Sequence, residues 1–394
     1  MRSDLDAIPA PAPRSPGGGW PAGFVRTRED RRALLVLSAL EGLRPRRLLE
    51  LARELGSPGA CLAAVVGGRE GSDADREWAR KIDPRGLEAA LRSAQARMVV
   101  PESAEYLAGL EDLADPPAAL FVRGASLASM PSRVAVVGAR RCSPLGREIA
   151  TEIGAGLARA GICVVSGAAI GIDTAAQEGA LRGGGLTIAV LGCGVDQAYP
   201  PRNRPLLERV ARSGCVASEY PPGVPALPFR FPARNRIIAA LAEAVVVVEG
   251  ARGSGSLITA DHALDLGRAV YAVPGAVTSP LSEVPLALIR DGAGMIRGAA
   301  DLLADIGRLD PSAAPSPMGA GPAGSPAAGP GPGMSEAERE VLSVLSGPTL
   351  PEHVARSVGR PLAEVVPVLV TLELRGLIRN VGGRVERRLA SAPG

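Results

Sequence analysis

A short apolar segment near the middle of the sequence leads into a turn that carries two arginines. Residues 134–137 predict a buried strand, and Gly138 then opens a turn with Arg140 and Arg141. Ser143 and the proline after it are a good N-cap and first-turn pair for a helix. Such a turn aims backbone N–H groups and the positive end of a helix dipole at one point. The pattern predicts a phosphate-sized anion site, although the dinucleotide motif G-x-G-x-x-G is absent.

Glycines and polar side chains like those of the turn after residue 137 also follow the other predicted strands. In an open parallel sheet, the residues that contact a ligand lie just beyond the carboxyl ends of the strands. These loops combine glycines, hydroxyls, arginines and an aromatic ring, a mixture that suits repeated phosphate contacts with space for stacked bases. The candidate DNA- or phosphate-binding residues are Gly138, Arg140, Arg141, Ser166, Gly167, Gly171, Tyr199, Arg234, Asn235, Arg236, Ser254 and Ser256.

The arginines of this set have structural alternatives that the sequence leaves open. Arg140 could form an ion pair with Glu249 or Glu219 instead of holding a phosphate, although its loop context favours the phosphate. Arg234 and Arg236 both lie at a predicted helix start, and one of the two is expected to be structural. The sequence does not say which.

The aromatic and hydroxyl candidates also have two interpretations. Tyr199 or Phe231 could stack on a base, and each could equally belong to the core. Ser254 and Ser256 could serve only as caps for a helix that begins at Leu257. These choices also stay open at the level of the sequence.

The sequence offers few groups for catalysis. Neither histidine, His262 or His353, falls in a loop that follows a strand, so no Ser/His/Asp set can be assembled. Asp173 is expected to cap a helix, and Asp196 is expected to lie in a turn. Glu249 is the one carboxylate that could act as a general base, and pairing with an arginine is its more expected role. Because no carboxylates show metal-ligand spacing either, we expect no catalysis and no metal or other cofactor.

Composition narrows the class of protein only a little. The length of 394 residues leaves room for two or three domains. The net charge of +3 gives no strongly basic footprint. Its five cysteines are scattered without a C-x-x-C pair, which favours a reducing compartment over a zinc site or a disulfide framework. No apolar run is long enough to cross a membrane, and the Pro/Gly-rich start lacks the apolar core of a signal peptide. The expected location is the cytoplasm.

The central part of the chain alternates apolar runs with helical segments, which predicts an α/β fold with an extended Rossmann-like, doubly wound parallel sheet. Continuous apolar runs are typical of parallel strands that are covered on both faces. After a lead-in strand at 120–124, the predicted strands are 134–137, 162–165, 187–191, 215–218, 244–248 and 269–273. The predicted helices between them are 145–160, 174–181, 204–212, 234–242 and 257–266.

Shifts in composition divide the chain into predicted parts. Segments rich in Pro, Ala and Gly have too little apolar content to fold, whereas regular apolar spacing marks folded modules. The parts are a disordered tail (1–26), a helical domain (27–97), the Rossmann-like DNA-binding domain (98–306), a Pro/Gly/Ala linker (307–333) and a winged-helix domain (334–390).

The two flanking modules could each contact DNA. The first resembles a SAM/helix-hairpin-helix module, whose Gly-x-Gly turn presents N–H groups to phosphate, but Arg44 occupies the second glycine position. A packing role is therefore the more expected one. In the C-terminal module a hairpin with a Gly382-Gly383 turn forms a basic wing, which suits DNA and equally suits an ordinary solvated face. Pro367 should kink the helix that precedes this hairpin.

Several motifs in the central domain resemble those of a known family. In chain order they are VAVVGARRCSPLG, VVSGAAIGIDTAA, TIAVLGCGVDQAYPPRN, ASEYPPG, FPARNRII, VVVVEGARGSGSLITA and VYAVPG. This run is similar to the DNA-processing protein A (DprA/Smf) family, and both flanking modules fit that family as well. The resemblance implies a protein that binds single-stranded DNA in natural transformation, protects it and loads the RecA recombinase. It also implies a homodimer formed through the Rossmann-like domain.

The chain departs from the family pattern at three positions. Ala139 stands where the family usually has a hydroxyl residue, Ile170 where an arginine is common, and Gln177 where a histidine is common. The loss of one arginine implies somewhat weaker phosphate binding, which Arg141 or Arg252 could offset.

Two other functions remain open. Related Rossmann domains of the phosphoribohydrolase type cleave nucleoside monophosphates with a Gly-rich loop and a glutamate, and residues 249–256 are superficially similar. The expected order P-G-G-x-G-T-x-x-E is absent, however, and no glutamate follows Thr259 in its helix. A structural recombination adaptor that acts through the winged helix is the third possibility.

Overall fold

The apolar runs of the chain form one large sheet in the computed structural model, which describes residues 19–130, 132–307, 335–345, 349–375, 377–381 and 384–387. The strands of this sheet are β1 (Ala96–Val99), β2 (Leu120–Gly124), β3 (Arg133–Val137), β4 (Cys163–Ser166), β5 (Thr187–Leu191), β6 (Cys215–Ser218), β7 (Ala244–Val247), β8 (Ala269–Ala272) and β9 (Gly294–Met295). Their spatial order is β1-β2-β6-β5-β4-β3-β7-β8-β9.

The pairing of these strands confirms the predicted doubly wound fold. The seven strands β3 to β9 pair with one another in parallel. At one edge of the sheet, β2 runs antiparallel to β6, and β1 runs antiparallel to β2. The connections reverse direction beside β3, because β4 lies on one side of it and β7 on the other. In a sheet of this kind, the crevice above such a reversal point is where ligands bind.

Helices cover both faces of the sheet. They are α6 (Ala108–Glu111), α7 (Pro144–Arg159), α8 (Ile172–Arg182), α9 (Arg204–Ser213), α10 (Arg230–Leu241), α11 (Gly255–Asp265), α12 (Glu283–Arg290) and α13 (Ala299–Asp305). Alternate residues of each strand point to opposite faces. Val137 and Val245 therefore pack with α10 and α11, whereas Val136 and Val246 pack with α7 and α8.

The N-terminal helices belong to the same folded unit as the sheet. They are α1 (Arg28–Leu37), α2 (Pro45–Leu55), α3 (Pro58–Val66), α4 (Asp73–Lys81) and α5 (Pro84–Ser93). Leu34, Leu51 and Val65 from these helices share a core with Phe121 and Val216 from the sheet. The division expected near residue 97 is thus bridged by continuous apolar packing.

The predicted tail needs a correction at its end. Residues 1–18 lie outside the described residues, but residues 19–26 pack against the N-terminal helices. The ring of Phe24 is 1% exposed, and its centroid lies 5.2 Å from that of Trp20. Because burying a ring of this size is strongly favourable, two aromatic residues are enough to order a segment that is otherwise rich in Pro and Gly.

The C-terminal residues form a separate small unit. It contains α14 (Glu336–Val344), α15 (Pro351–Ser357), α16 (Leu362–Leu374) and the antiparallel strands β10 (Ile378–Val381) and β11 (Arg384–Arg387). Three helices followed by a hairpin confirm the predicted winged helix. Pro367 lies inside α16, which is continuous around it. The Gly382-Gly383 turn and the linker from residue 308 lie outside the described residues.

Some predicted element boundaries also shift. The helix expected at 234–242 begins at Arg230, because Pro232 falls in its first turn, where a missing N–H is tolerated. The helix expected at 174–181 begins at Ile172. The edge strands β1 and β9 were not predicted, since β9 has only two residues and β1 follows a helix without a break in the pattern.

Candidate nucleic-acid interface

A groove of about 630 Å³ lies above the carboxyl ends of β3 and β7, at the reversal point of the sheet. We call it the strand-end groove. Most of its lining comes from three segments, the loop after β3, the first turns of α10 and the loop that precedes α11, and Tyr199 is added from the loop after β5. The candidate residues in its lining are Gly138, Arg140, Arg141, Tyr199, Arg234, Asn235, Ser254 and Ser256, together with Phe231 and Arg252.

Three exposed arginines surround this groove. Arg140 and Arg141 follow β3, and Arg252 lies in the loop after β7. None of the three guanidinium groups forms an ion pair with a described residue, so Arg140 pairs with neither of the carboxylates considered above. Exposed guanidinium groups without a carboxylate partner keep their donors for a ligand, and their planar geometry suits phosphate oxygens.

Two aromatic rings lie beside these arginines. The rings of Tyr199 and Phe231 are 5.0 Å apart between centroids and tilted by 33°. The guanidinium carbon of Arg140 lies 5.3 Å from the centre of the Phe231 ring, within the range of a cation–π contact. Tyr199 is 46% exposed, and Phe231 is half-buried. Both rings lie in the groove lining rather than in the core, so a base could stack there.

The N-terminus of α11 forms one rim of the groove. Ser254 is the N-cap of this helix and accepts a hydrogen bond from the backbone N–H of Ser256. The hydroxyl oxygens of the two serines are 2.8 Å apart, and Ser256 is buried. Ser254 thus has the capping role weighed above, whereas Ser256 lies inside the first turn and contacts the Ser254 hydroxyl. The positive end of the helix dipole still faces the groove, and the N–H of Gly255 has no hydrogen-bond partner among the described residues.

Arg234 lies in the floor of the groove and is buried. Its guanidinium donates to the carbonyl oxygens of Gly167 and Val190. Burial lowers the pKa of Arg234 to about 10, although the nearby Asp173 carboxylate acts in the opposite direction. The group therefore stays charged at neutral pH and adds positive potential below the groove. A Cβ at Gly167 would collide with this guanidinium, so glycine at that position makes room for Arg234.

Arg236 is buried as well, so both arginines of the pair have structural contacts. Its side chain is 4% exposed, and its Nη2 lies 2.7 Å from Oε1 of Glu219. Its Nε lies 3.0 Å from Oδ2 of Asp115. Burial alone would lower the pKa of Arg236, but the Glu219 carboxylate raises it above its ordinary value. Arg236 is not part of the lining of the strand-end groove, and its guanidinium is engaged by Glu219 and Asp115, so the structure does not bring it together with the groove arginines as predicted.

Three further candidates act inside the protein. The hydroxyl of Ser166 is fully buried and donates to the carbonyl oxygen of Val136, so it cannot reach a ligand. Asn235 donates to the carbonyl oxygen of Gly255 at 3.0 Å and ties α10 to the start of α11. Gly171 has a φ of +90° and fits tightly against the backbone of Arg140. These residues shape the loops that carry the groove residues, and of the three only Asn235 is also part of the groove lining.

Two of the three carboxylates considered above have roles that differ from those expected. Oε2 of Glu249 accepts from the backbone N–H of Ser143 at 2.8 Å, and Oε1 accepts from the Ser143 hydroxyl at 2.5 Å. Glu249 thus fixes the N-cap of α7 instead of pairing with an arginine. Asp173 does not cap α8 but accepts from the N–H groups of Gly167 and Ala169 and so holds the loop after β4. Asp196 lies in a turn, as expected, and accepts from the N–H of Gly223.

We expect Glu249→Ala to lower the free energy of unfolding by about 1–3 kcal/mol, since it leaves a half-buried N–H without its acceptor. Chemical denaturation measures this change, and Glu152→Ala on the exposed side of α7 serves as the control, with an effect within about 0.5 kcal/mol.

The structural role of Glu249 also predicts that the wild-type protein releases neither base nor phosphate from nucleoside monophosphates. Turnover that disappears in Glu249→Gln would contradict this structural role.

One residue that positions the groove was not singled out from the sequence. Asn203 is buried before α9, and its Nδ2 donates to the carbonyl oxygen of Ala168 and to the hydroxyl of Thr174. It thereby joins the loop that carries Tyr199 to the loop after β4. An asparagine directly before a predicted helix was the only signal. Of the positions that depart from the family pattern, Gln177 is interior and donates to the carbonyl oxygen of Ile188.

Metal clusters and membrane-spanning helices are not seen in the part of the chain that the structure describes. No group of three or more His, Cys, Asp or Glu side chains within the described ranges is arranged to hold a metal ion. Among the described helices, none is long and apolar enough to cross a membrane.

Two family models match this chain. The model for DNA recombination-mediator protein A matches residues 97–307, and the model for the DprA winged helix domain matches residues 325–384. The first match begins at β1 and covers the whole sheet and the strand-end groove. The second includes all the described residues of the small C-terminal unit except the last three.

Individual relatives give the same result. The putative DNA processing protein DprA of Mycobacterium tuberculosis is 40% identical over 259 residues, which cover 64% of this chain and 64% of that protein. The matched part is thus less than two thirds of that relative's length. Protein Smf of Escherichia coli is 39% identical over 281 residues, which cover 70% of this chain and 73% of that protein. The crystal structure of DNA processing protein A from Streptococcus pneumoniae superimposes with a TM-score of 0.61 at 35% identity, over 71% of this chain and 98% of that one.

Proposed function

This chain belongs to the DprA/Smf family, and from that premise we propose that it binds single-stranded DNA in the strand-end groove. The observation that carries the proposal is the joint placement of exposed, unpaired arginines and the Tyr199–Phe231 ring pair in one groove. Guanidinium groups hold backbone phosphates without regard to sequence, and aromatic faces stack on any unpaired base. Bases of an intact duplex are stacked on each other and are not available to these rings.

The groove suggests how such a strand would lie. Arg140, Arg141 and Arg252 are on the rim, where phosphates remain in contact with water while they gain a cationic partner. The N-terminus of α11 adds its positive dipole end and the N–H of Gly255 on the same side. The Phe231 ring, held by Arg140 and Tyr199, presents the apolar surface for a base. The buried Arg234 lies below the groove and would stabilise the negatively charged phosphates of the strand without contacting them.

A titration with single- and double-stranded oligonucleotides across salt concentrations tests this function. We expect tight binding of single strands, weaker binding of duplexes and a steep linear fall of log affinity with log salt concentration. Equal affinity for both forms, or binding that does not respond to salt, would contradict the proposal.

The finer function is proposed from family membership. We propose that the bound strand is protected and is then passed to the RecA recombinase in natural transformation. We also propose a homodimer formed through the Rossmann-like domain and no catalytic activity, which is supported by the structural roles of Glu249 and Asp173. Sedimentation at several protein concentrations tests the dimer. Nuclease protection and RecA filament assembly on a coated strand test the rest.

We expect a chain that ends at Gly307 to fold and to retain most of its affinity for a short single strand. The described residues before 308 form one unit with its own core, and the groove lies entirely within it. A cooperative thermal transition and a fluorescence anisotropy titration measure the two properties. If the shortened chain folds but loses all binding, the main DNA site lies in the winged helix.

A further inference from the structure

A second basic recess lies at the ends of α8 and α9. Its volume is about 220 Å³, and it is lined by Leu181, Arg182, Arg209, Arg212 and Ser213. We call it the arginine recess. Arg182 and Arg212 are exposed, and neither forms an ion pair with a described residue. Arg209 pairs with Glu178. Three guanidinium groups therefore line a space large enough for a phosphate group, and no carboxylate is part of its lining.

Helix stability explains only part of this cluster. Arg182 and Arg212 are in the last turns of their helices, where a cation favourably meets the negative end of the dipole. That effect needs one cation for each helix and does not require the two groups to line one recess with a third arginine. Like charges at such short range repel one another, and an anion between them would remove the repulsion.

Few carboxylates balance these arginines. On the outer sides of α8 and α9 the only acidic residues are Glu178 and Glu208. Glu178 is held by Arg209, and Glu208 forms a two-pronged contact with Arg123 of β2. Glu208 also lies near Arg212 and Arg204, whose positive charges help to lower its pKa. The surface still carries a net positive charge, because these two carboxylates face Arg182, Arg202, Arg204, Arg209 and Arg212.

This charge extends from the strand-end groove to the recess. Arg202 and Arg204 are exposed at the start of α9, directly after Tyr199 in the groove lining. Ten residues of α9 then lead to the recess, a distance of about 15 Å at 1.5 Å per residue. At the spacing of about 3.4 Å between phosphates in a stacked strand, that is the length of roughly four nucleotides.

We propose that the arginine recess holds a backbone phosphate of a single strand that leaves the strand-end groove and runs along α9. The inference rests on the function proposed above and extends the binding site beyond the groove. It assigns a role in long-strand binding to Arg182 and Arg212, which lie far from the residues that stack on bases.

The test compares short and long oligonucleotides on a double variant. For R182A/R212A we expect unchanged affinity for a single strand of about five nucleotides, which fills only the groove. For a strand of about 20 nucleotides, the loss of one phosphate contact should make the log–log salt slope shallower by about 0.7. At about 0.1 M salt this corresponds to a roughly fivefold loss of affinity. The variant R182K/R212K, which keeps both charges, should recover most of the difference.

Controls separate this inference from the proposed function. R290A removes an exposed arginine from the last turn of α12 and should change neither affinity nor slope. Unchanged long-strand binding in R182A/R212A, or an equal loss for short and long strands, would overturn the role of the recess. If the wild-type protein binds neither oligonucleotide, the proposed function itself is wrong.

Discussion

Arg236→Met should lower the free energy of unfolding by about 3–5 kcal/mol, the usual result of removing one partner from a buried ion pair. Methionine fills much of the same volume, so the loss comes mainly from the charge left behind. The carboxylate of Glu219 is 11% exposed and would lose its closest cationic partner. Asp115 is 40% exposed and can be rehydrated, so it should add less to the effect.

Denaturant unfolding of the variant measures this effect, and two further variants separate its causes. Arg290→Met removes an exposed arginine and should stay within about 0.5 kcal/mol of wild type. R236M/E219L, which replaces both charges by apolar groups, should be more stable than Arg236→Met alone. Affinity for single strands, measured where Arg236→Met is still folded, should match wild type. A large loss of affinity without a loss of stability would indicate that Arg236 contacts DNA.

The sheet could be predicted because its central strands are buried on both faces. Such strands need unbroken apolar runs, and the runs at 162–165 and 215–218 have no other plausible structure. Edge strands carry a weaker signal. In β1 only the last two residues are buried, and their core partners come from helices distant in sequence. The local pattern of apolar residues therefore predicts the central strands of the sheet but not its edge strands β1 and β9.

The place of the candidate site could also be predicted, because topology alone puts the loops after β3, β4 and β7 at one edge. The orientation of individual side chains could not. Arg230, Arg234 and Arg236 all lie in α10, yet each is buried with its own set of oxygen acceptors. Buried arginines of this kind are rare, so exposure was the natural expectation. Only the tertiary structure shows which carbonyl or carboxylate groups surround each one.

The same limit applies to Glu249. Its partner Ser143 is more than a hundred positions away in the sequence, but the two meet because β3 and β7 are neighbours in the sheet. Gly146 permits this contact, since a Cβ there would collide with the carboxylate. The sequence contains Ser143, Gly146 and Glu249, but it does not reveal the pairing of β3 with β7 that brings them together.

Phe231→Ala and Arg140→Ala should both weaken single-strand binding, but with different dependence on salt. Stacking on an aromatic ring contributes about 1–3 kcal/mol per base, so loss of the Phe231 ring should reduce affinity by about five- to 150-fold. A stacking contact releases no counterion, and the salt slope should therefore stay the same. Loss of Arg140 should make the slope shallower by about 0.7 and cost roughly fivefold in affinity at about 0.1 M salt.

The chain provides a matched control for the ring. Phe229 is 60% exposed and lies two residues before Phe231, but it is not part of the groove lining, so Phe229→Ala should bind like wild type. Phe231→Leu keeps apolar volume without an aromatic face and should bind nearly as weakly as Phe231→Ala, which separates stacking from a disturbed fold. Anisotropy titrations at several salt concentrations measure all four variants. If Phe229→Ala and Phe231→Ala lose affinity equally, or if Arg140→Ala leaves the slope unchanged, the strand does not follow the path through the Arg140–Phe231 contact.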